Sequence, residues 1–353
     1  MAHNILLTGT SGYLGGTLLT HLQKTKSTLP PYNKLYALTR TESQASSVRK
    51  YGAEPLVIDL NDATSITSTI IENEITIIFF LIDAFLPTTQ KTMIAALGTV
   101  KEKTGRQVHF LHTTGAKAFS SHVGITAATE LKDTDERLYE IQKTTNAPES
   151  YSWFSQIART NADIVDSAES HGVKAYIFAP CIVYGEGNGY GNKISIQDVA
   201  IVKAARAAGR VYKVDSGKPV WPVSHIHDTT TLYAQILRQI LSGTEIGYGR
   251  EGFYLASSGS VAWDDIYAAF AAALYKRGVI DDDAVEMADE DALERMGRGL
   301  DLRNGNIAVQ LGGNCVFTAV NGSRIGWRAE YPPEHILEAA DEEVQLILKT
   351  LNG

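Results

Sequence analysis

Three glycines spaced three apart, Gly9, Gly12 and Gly15, stand near the start of the chain in Ile5-Leu6-Leu7-Thr8-Gly9-Thr10-Ser11-Gly12-Tyr13-Leu14-Gly15-Gly16. Residues without a side chain at that spacing can make a tight turn, admit a bulky anion to the backbone, and let the next helix pack closely. A helix N-terminus adds unpaired N–H donors and the positive end of its dipole, which suits a pyrophosphate. Residues 5–7 read as a buried strand and 17–23 as a helix, so the glycines fall where a dinucleotide motif needs them. Binding through Gly9, Ser11, Gly12, Tyr13, Leu14 and Gly15 is the expectation, with an ordinary glycine-rich turn as the bland alternative.

The elements around that turn extend the pattern. Residues 34–39 read as a second strand that ends at Arg40. In dinucleotide-binding folds this strand end meets the adenosine ribose, where a carboxylate suits a free 2′-hydroxyl and a guanidinium suits a 2′-phosphate. Arg40 favours NADP, and Glu42 beside it keeps NAD open. Residues 57–60 read as a third strand, with Asp59 and Leu60 against the adenine. The apolar run 75–82 has the character of a central parallel strand buried on both faces. Helical spacing follows over 91–103, and 108–112 form the next strand, running into Thr113-Thr114-Gly115. This alternation predicts an α/β fold, a Rossmann-type doubly wound parallel sheet.

Composition narrows the class. With 353 residues the chain can form one large domain and a smaller lobe. A net charge of −8 speaks against nucleic acid as a partner. Cys181 and Cys315 are the only cysteines, which suggests neither a disulfide framework nor a zinc cluster, and no metal is expected. The run 75–82 is too short to span a bilayer, and the glycine turn begins too early for a signal peptide. A cytoplasmic protein is the expectation.

Further segments join the turn, Asp59-Leu60 and the strand ending in Thr113-Thr114. They are Ala179-Pro180-Cys181-Ile182-Val183-Tyr184-Gly185, His225-Ile226-His227-Asp228 and Ser323-Arg324-Ile325-Gly326-Trp327. On these residues the chain resembles the extended or atypical short-chain dehydrogenases/reductases over most of its length. It is most similar to fungal members labelled NAD-dependent epimerase/dehydratase. The resemblance implies that Pro180, Ile182 and Val183 lie in the loop covering the nicotinamide. It also puts Thr114 where the family holds a carbonyl with Ser or Thr, the other reading being a capping threonine at a strand end.

The family completes its chemistry with a Tyr that exchanges the proton and a Lys four residues later that lowers the Tyr pKa and holds the ribose. Tyr139 and Lys143 have that literal spacing, but Asn146-Ala147-Pro148 should stop their helix. In the family the dyad lies near the start of the long helix, here 152–170, that feeds the strand 174–178. Aligning that helix by Ala162-Asp163-Ile164-Val165 puts Ser155 and Arg159 at the dyad positions. Arg159 can bind a ribose or phosphate but cannot exchange a proton, and Ser155 is a poor acid. Tyr151, one turn earlier, could bring a phenol from a shifted position. The usual dyad is expected to be lost or replaced.

Residues 1–185, with 220–260 returning to them, are expected to form the NAD(P)-binding domain, and 186–219 with 261–353 the substrate lobe. Gly185, Gly187, Gly189 and Gly191 suggest a mobile loop, and 195–210 a helix along the cleft. Asp228 is expected to cap the helix 229–241, and 281–294 to be a solvated helical face. The glycine-rich segment 301–322 either folds over the cleft or is a surface excursion. Three functions share this frame. The first is an NADP(H)-dependent oxidoreductase or epimerase acting on a small carbonyl metabolite. The second is a repurposed non-redox isomerase, cyclase or lyase. The third is a non-catalytic NADP sensor similar to the fungal NmrA-type regulators. The first is favoured, with a small-molecule substrate, no nucleic-acid or membrane partner, and the oligomeric state open.

Overall fold

Short apolar runs separated by amphipathic helices give a sheet whose strands are buried on both faces. The computed structural model describes residues 2–126, 130–302 and 306–352. Its main sheet consists of β1 (Asn4–Leu7), β2 (Lys34–Leu38), β3 (Glu54–Leu56), β4 (Ile77–Phe80), β5 (His109–Thr113), β6 (Lys174–Pro180) and β7 (Phe253–Ala256). All neighbours are parallel, in the order β7-β6-β5-β4-β1-β2-β3. Alternate strand residues go to opposite faces. Leu6, Ile78, Phe80 and Phe110 pack in one cluster with α3 (Ala63–Glu72), α4 (Thr88–Thr104) and α6 (Ser155–Ser170), through Ile70, Leu97 and Ile164. Leu7, Ile77, Phe79 and Leu111 pack in another with α1 (Tyr13–Lys24) and α8 (Ile226–Leu241), through Leu18 and Leu237.

The third strand lies earlier than 57–60. Pro55 lacks an N–H, which an edge strand tolerates because only one side needs a ladder. Glu54–Leu56 therefore pairs with β2 at the sheet edge, and Val57 emerges into solvent. The long helix starts at Ser155, after a 3₁₀ segment Glu149–Phe154 that the sequence pattern had merged with it. Residues 281–289 are not helical. Asp289 caps a helix that runs only from Glu290 to Leu300, its carboxylate accepting from the Ala292 N–H at 2.8 Å. Asp228 is not a cap either, because α8 begins at Ile226 with His225 as its cap. The Asp228 carboxylate is buried and accepts the Glu330 and Tyr331 N–H groups at 2.9 and 3.1 Å, tying the chain end to α8.

Beyond β6, Val220–His225 pairs parallel with Ile182–Tyr184 and antiparallel with Gly259–Ala262. Helices α7 (Gln197–Ala208), α9 (Trp263–Lys276), α10 (Glu290–Leu300) and the C-terminal helix His335–Asn352 pack around this part. Their apolar residues, Val202, Phe270, Met296 and Val344 among them, belong to the cluster that also holds one face of the main sheet.

One polar pair interrupts that core. Asp198 on α7 is fully buried, and Glu343 on the C-terminal helix is nearly so. Glu343 Oε1 accepts the Gly185 N–H at 2.7 Å, while among the described residues both Asp198 oxygens and Glu343 Oε2 lack a hydrogen-bond partner of good geometry. Burial first, and then the charge of Glu343, pushes the Asp198 carboxyl well above the carboxylate range; burial pushes Glu343 up as well. The folded protein therefore binds protons here more tightly than the unfolded chain. The pair's contribution is full below the ordinary carboxylate pKa of about 4 and is lost as pH rises above it. Asp198→Asn supplies an uncharged donor in the same shape. It should raise the melting temperature at pH 8 by about 2 °C or more, with little change at pH 4, as checked by calorimetry across that range. A wild-type pH slope retained in the variant would contradict this account.

Candidate active site

In a doubly wound sheet the crevice opens where successive helices leave to opposite faces. That point lies between β1 and β4, because α1 packs on the α8 side and α4 on the other. The turn after β1 sits there. Gly9 has φ of +68°, and a Cβ on it would stand 2.6 Å from the Leu81 carbonyl oxygen after β4. A Cβ on Gly15 would be 2.3 Å from the Gly9 carbonyl oxygen, so the helix start is pressed onto the turn. The first intrahelical bond runs from the Gly16 N–H to the Gly12 carbonyl at 2.9 Å, which leaves the N–H groups of Tyr13, Leu14 and Gly15 without intrahelical acceptors. This cradle fits a pyrophosphate.

The segment after Gly185 lies against the outer side of the same turn. The Asn192 N–H donates to the Ser11 carbonyl at 2.9 Å, and Tyr13 Oη donates to the Gly185 carbonyl at 2.6 Å. A Cβ on Gly191 would come within 2.1 Å of the Ser11 oxygen. Here the glycines serve close approach to α1 rather than looseness. Ser11 thus faces this segment, while Gly9, Gly12, Tyr13, Leu14 and Gly15 line a cavity of about 640 Å³.

The cavity continues along the carboxyl ends of β4, β5 and β6. Thr114 follows β5, its N–H held by the Phe178 carbonyl at 2.8 Å. Thr113 turns its hydroxyl to Tyr233 at 2.8 Å on the α8 side, so alternation sends Thr114 to the cavity. Among the described residues the buried Thr114 hydroxyl has no hydrogen-bond partner. Three residues on, Lys117 also lines the cavity, its Nζ donating to Gln310 Oε1 at 2.8 Å. Burial pushes the Lys117 ammonium down to about 8. Gln310 belongs to α11 (Ile307–Leu311), and Leu302, Asn306 and Val309 reach the same wall. The 301–322 segment therefore folds over the cleft, although Arg303-Asn304-Gly305 within it lie outside the described residues. Pro180 and Val183 line the cavity, and Ile182 is fully buried behind it.

The other sequence candidates lie elsewhere. Tyr139 and Lys143 sit on α5 (Leu138–Thr144), where Tyr139 Oη donates to Asp166 and Lys143 Nζ contacts Tyr139 Oη at 2.9 Å and Asp166 at 3.3 Å. Asp166 is nine residues beyond Ile157, the cavity residue of α6, so this network is displaced by about 13 Å along the helix axis. Ser155 Oγ accepts the Ala147 N–H at 2.8 Å, and Arg159 donates to Asn146 Oδ1 at 2.9 Å. Tyr151 meets His122 edge-on, ring centroids 5.7 Å apart. None of these five is on the cavity wall, where the 3₁₀ segment and α6 present Trp153, Phe154 and Ile157 instead. Arg40 is exposed at the end of β2, and Asp59 and Leu60 follow β3 with Asp59 Oδ1 accepting the Asn61 N–H at 2.9 Å. Sequence reasoning missed Lys117 and Gln310; the one local signal was a lysine inside the apolar run Ala116-Lys117-Ala118-Phe119.

No curated protein matches the chain. Solved structures do. UDP-glucose 4-epimerase from Thermotoga maritima, with UDP-glucose, matches at a TM-score of 0.62 and 15% identity over 99% of both chains. dTDP-glucose 4,6-dehydratase from Bacillus anthracis, in complex with NAD, matches at 0.59 and 14% identity over 99% of this chain and 97% of that one. Vestitone reductase from alfalfa gives 0.58 and 13% identity over 97% and 98%. Identities this low speak for the fold. A family model described as the NAD dependent epimerase/dehydratase family matches residues 5–247, well over half of the chain. With this match and the glycine turn at the β1–β4 crevice, the chain belongs to the NAD-dependent epimerase/dehydratase family, enzymes of the extended short-chain dehydrogenase/reductase type.

Proposed function

We propose that this protein is an NADP(H)-dependent reductase acting on an apolar carbonyl compound. The observation that carries the reading is the Thr114 hydroxyl, buried and without a partner among the described residues on the wall of a cavity that begins at the glycine turn. A hydroxyl aimed at a carbonyl oxygen stabilises the negative charge that develops there during reduction. The bound dinucleotide would supply the hydride. Gly9, Gly12, Tyr13, Leu14 and Gly15 would hold its pyrophosphate, and Pro180 and Val183 would flank the nicotinamide end. Asp59 and Leu60 would border the adenine.

Arg40 supports the choice of NADP. Among the described residues its guanidinium makes no ion pair, while Glu42 is engaged by Arg49 at 3.0 Å. The wall supports an apolar substrate: Leu81, Phe85, Trp153, Phe154, Ile157 and Trp221 surround the Thr114 region, and among the described residues the wall carries no arginine for a second pyrophosphate. Gly9 to Gly15 come from residues 1–185, whereas Ile196, Gln197, Val309 and Gln310 come from 186–219 and 261–353, in keeping with a binding domain and a substrate lobe. The position of Tyr139 and Lys143 off the wall favours the non-redox reading as second choice.

Gly12→Val should abolish measurable NADPH binding by fluorescence titration while the circular dichroism spectrum stays native; unchanged affinity would remove the glycine turn from the site. Arg40→Ala should weaken NADPH about ten- to hundredfold and leave NADH nearly untouched. Equal loss for both dinucleotides would mean that Arg40 does not read the 2′-phosphate. Thr114→Val should cost about 10²-fold in kcat, the scale of one well-placed donor. Product and NADPH consumption are to be followed together, and product formed without NADPH oxidation would replace the reductase by the non-redox enzyme.

A further inference from the structure

Resting on the reductase reading, we propose that Lys117 is the proton donor of this site, held at the cavity wall by Gln310 and acting beside Thr114. The family's Tyr and Lys are off the wall, and Tyr13, the phenol that does line the cavity, has its hydroxyl committed to the Gly185 carbonyl at 2.6 Å. Lys117 is the one charged side chain among the described residues of the wall. It makes no ion pair with a carboxylate among the described residues, and its partner at 2.8 Å is the neutral amide oxygen of Gln310. A carboxylate would hold the ammonium charged, whereas an amide oxygen orients it and leaves its acidity free to rise with burial. The buried amine, at about 8, is then poised to lose a proton near neutral pH, as an effective general acid must be.

The described residues around it do not offer a competing donor. His122, on the next turn, has Nε2 within 3.0 Å of the Gly312 carbonyl. Burial above all lowers its pKa, the Gly312 carbonyl partly offsets this, the Lys117 charge adds to the lowering and Asp215 opposes it. Burial pushes the Tyr151 phenol and the Cys181 and Cys315 thiols up, so none of them releases a proton readily. In the step assigned to Lys117, one N–H bond of the ammonium breaks and an O–H bond forms at the carbonyl oxygen as its carbon receives the hydride. The product is the alcohol, and the neutral amine left behind regains a proton from solvent.

Two measurements test this. Competitive acetylation of the protein without cofactor, read by peptide mass spectrometry against pH, should give Lys117 a midpoint near 8, against about 10.4 for exposed lysines. A midpoint at the ordinary value overturns the proposal. The second uses NADPH with 4-nitrobenzaldehyde or 9,10-phenanthrenequinone. Wild-type kcat/KM should fall as pH rises through about 8, as the donor loses its proton. Lys117→Met should lower kcat about 10²-fold or more, remove that limb and leave NADPH affinity unchanged. Lys117→Arg should be equally slow, because arginine keeps its proton; rescue by arginine shows that charge alone suffices and overturns the proposal. Gln310→Leu, which keeps the amine, carries the test should Lys117→Met not fold: its rate should fall and its limb move to lower pH, and an unmoved limb counts against the proposal. If wild type oxidises NADPH with neither probe, the reductase reading and the proposal fall together. If it does, and Lys117→Met matches it in rate and pH profile, the proposal falls alone.

Discussion

The crevice between the carboxyl ends of β1 and β4 is the constraint on which everything else depends. Both strands are buried on both faces, so their connections must exit upward and then part to opposite sides of the sheet. Space is left above them, and the backbone lining that space must satisfy its own polar groups. Thr8 does part of this: its N–H bonds the Phe79 carbonyl at 3.0 Å and its hydroxyl accepts the Leu81 N–H at 2.8 Å. The turn is thereby locked to β4, and only residues without a Cβ fit between Gly9, Leu81 and the start of α1.

How much of this can be read from the chain follows from how local each cause is. The glycine turn and the strand–helix alternation are encoded within windows of a dozen residues, so the doubly wound sheet is legible. Element ends are set by tertiary partners and are less so. Pro55 in an edge strand, and Asp228 turned from cap to anchor for residues 330–331, each depend on neighbours far away in sequence. The Lys117–Gln310 contact spans 193 residues, and nothing in either local segment announces the other.

The dyad helix shows the same limit from the other side. The sequence places Ser155 and Arg159 at the family's dyad positions and leaves open where their side chains go. They go to Ala147 and Asn146, because the chain before α6 turns back on itself after Pro148 and needs partners for its own polar groups. The 3₁₀ segment then exposes Trp153 and Phe154 toward the crevice, with Phe85 packed against both at 6.0 and 5.5 Å between ring centroids. An aromatic wall occupies the side of the cavity that a tyrosine hydroxyl would otherwise share.

Asp198 and Glu343 raise the question of why two acids lie in the core beside this site. Burial disfavours the charged form of both acids, and the charge of Glu343 disfavours it further in Asp198, so the pair is a poor source of stability at neutral pH. What Glu343 adds is an acceptor. Gly185 follows the strand Ile182–Tyr184 and opens the glycine-rich loop with φ of +99°, and its N–H points into the core, away from any strand ladder. An unpaired buried amide would cost about 1–3 kcal/mol. The carboxylate on the C-terminal helix meets that amide, while Tyr13 on α1 meets the carbonyl of the same residue. One residue thus joins the glycine turn, the loop over the cavity and the last helix of the chain. The same contact that keeps the amide satisfied fixes the height of the loop above the crevice, so Glu343 acts on the geometry of the site as well as on the pH dependence of the fold.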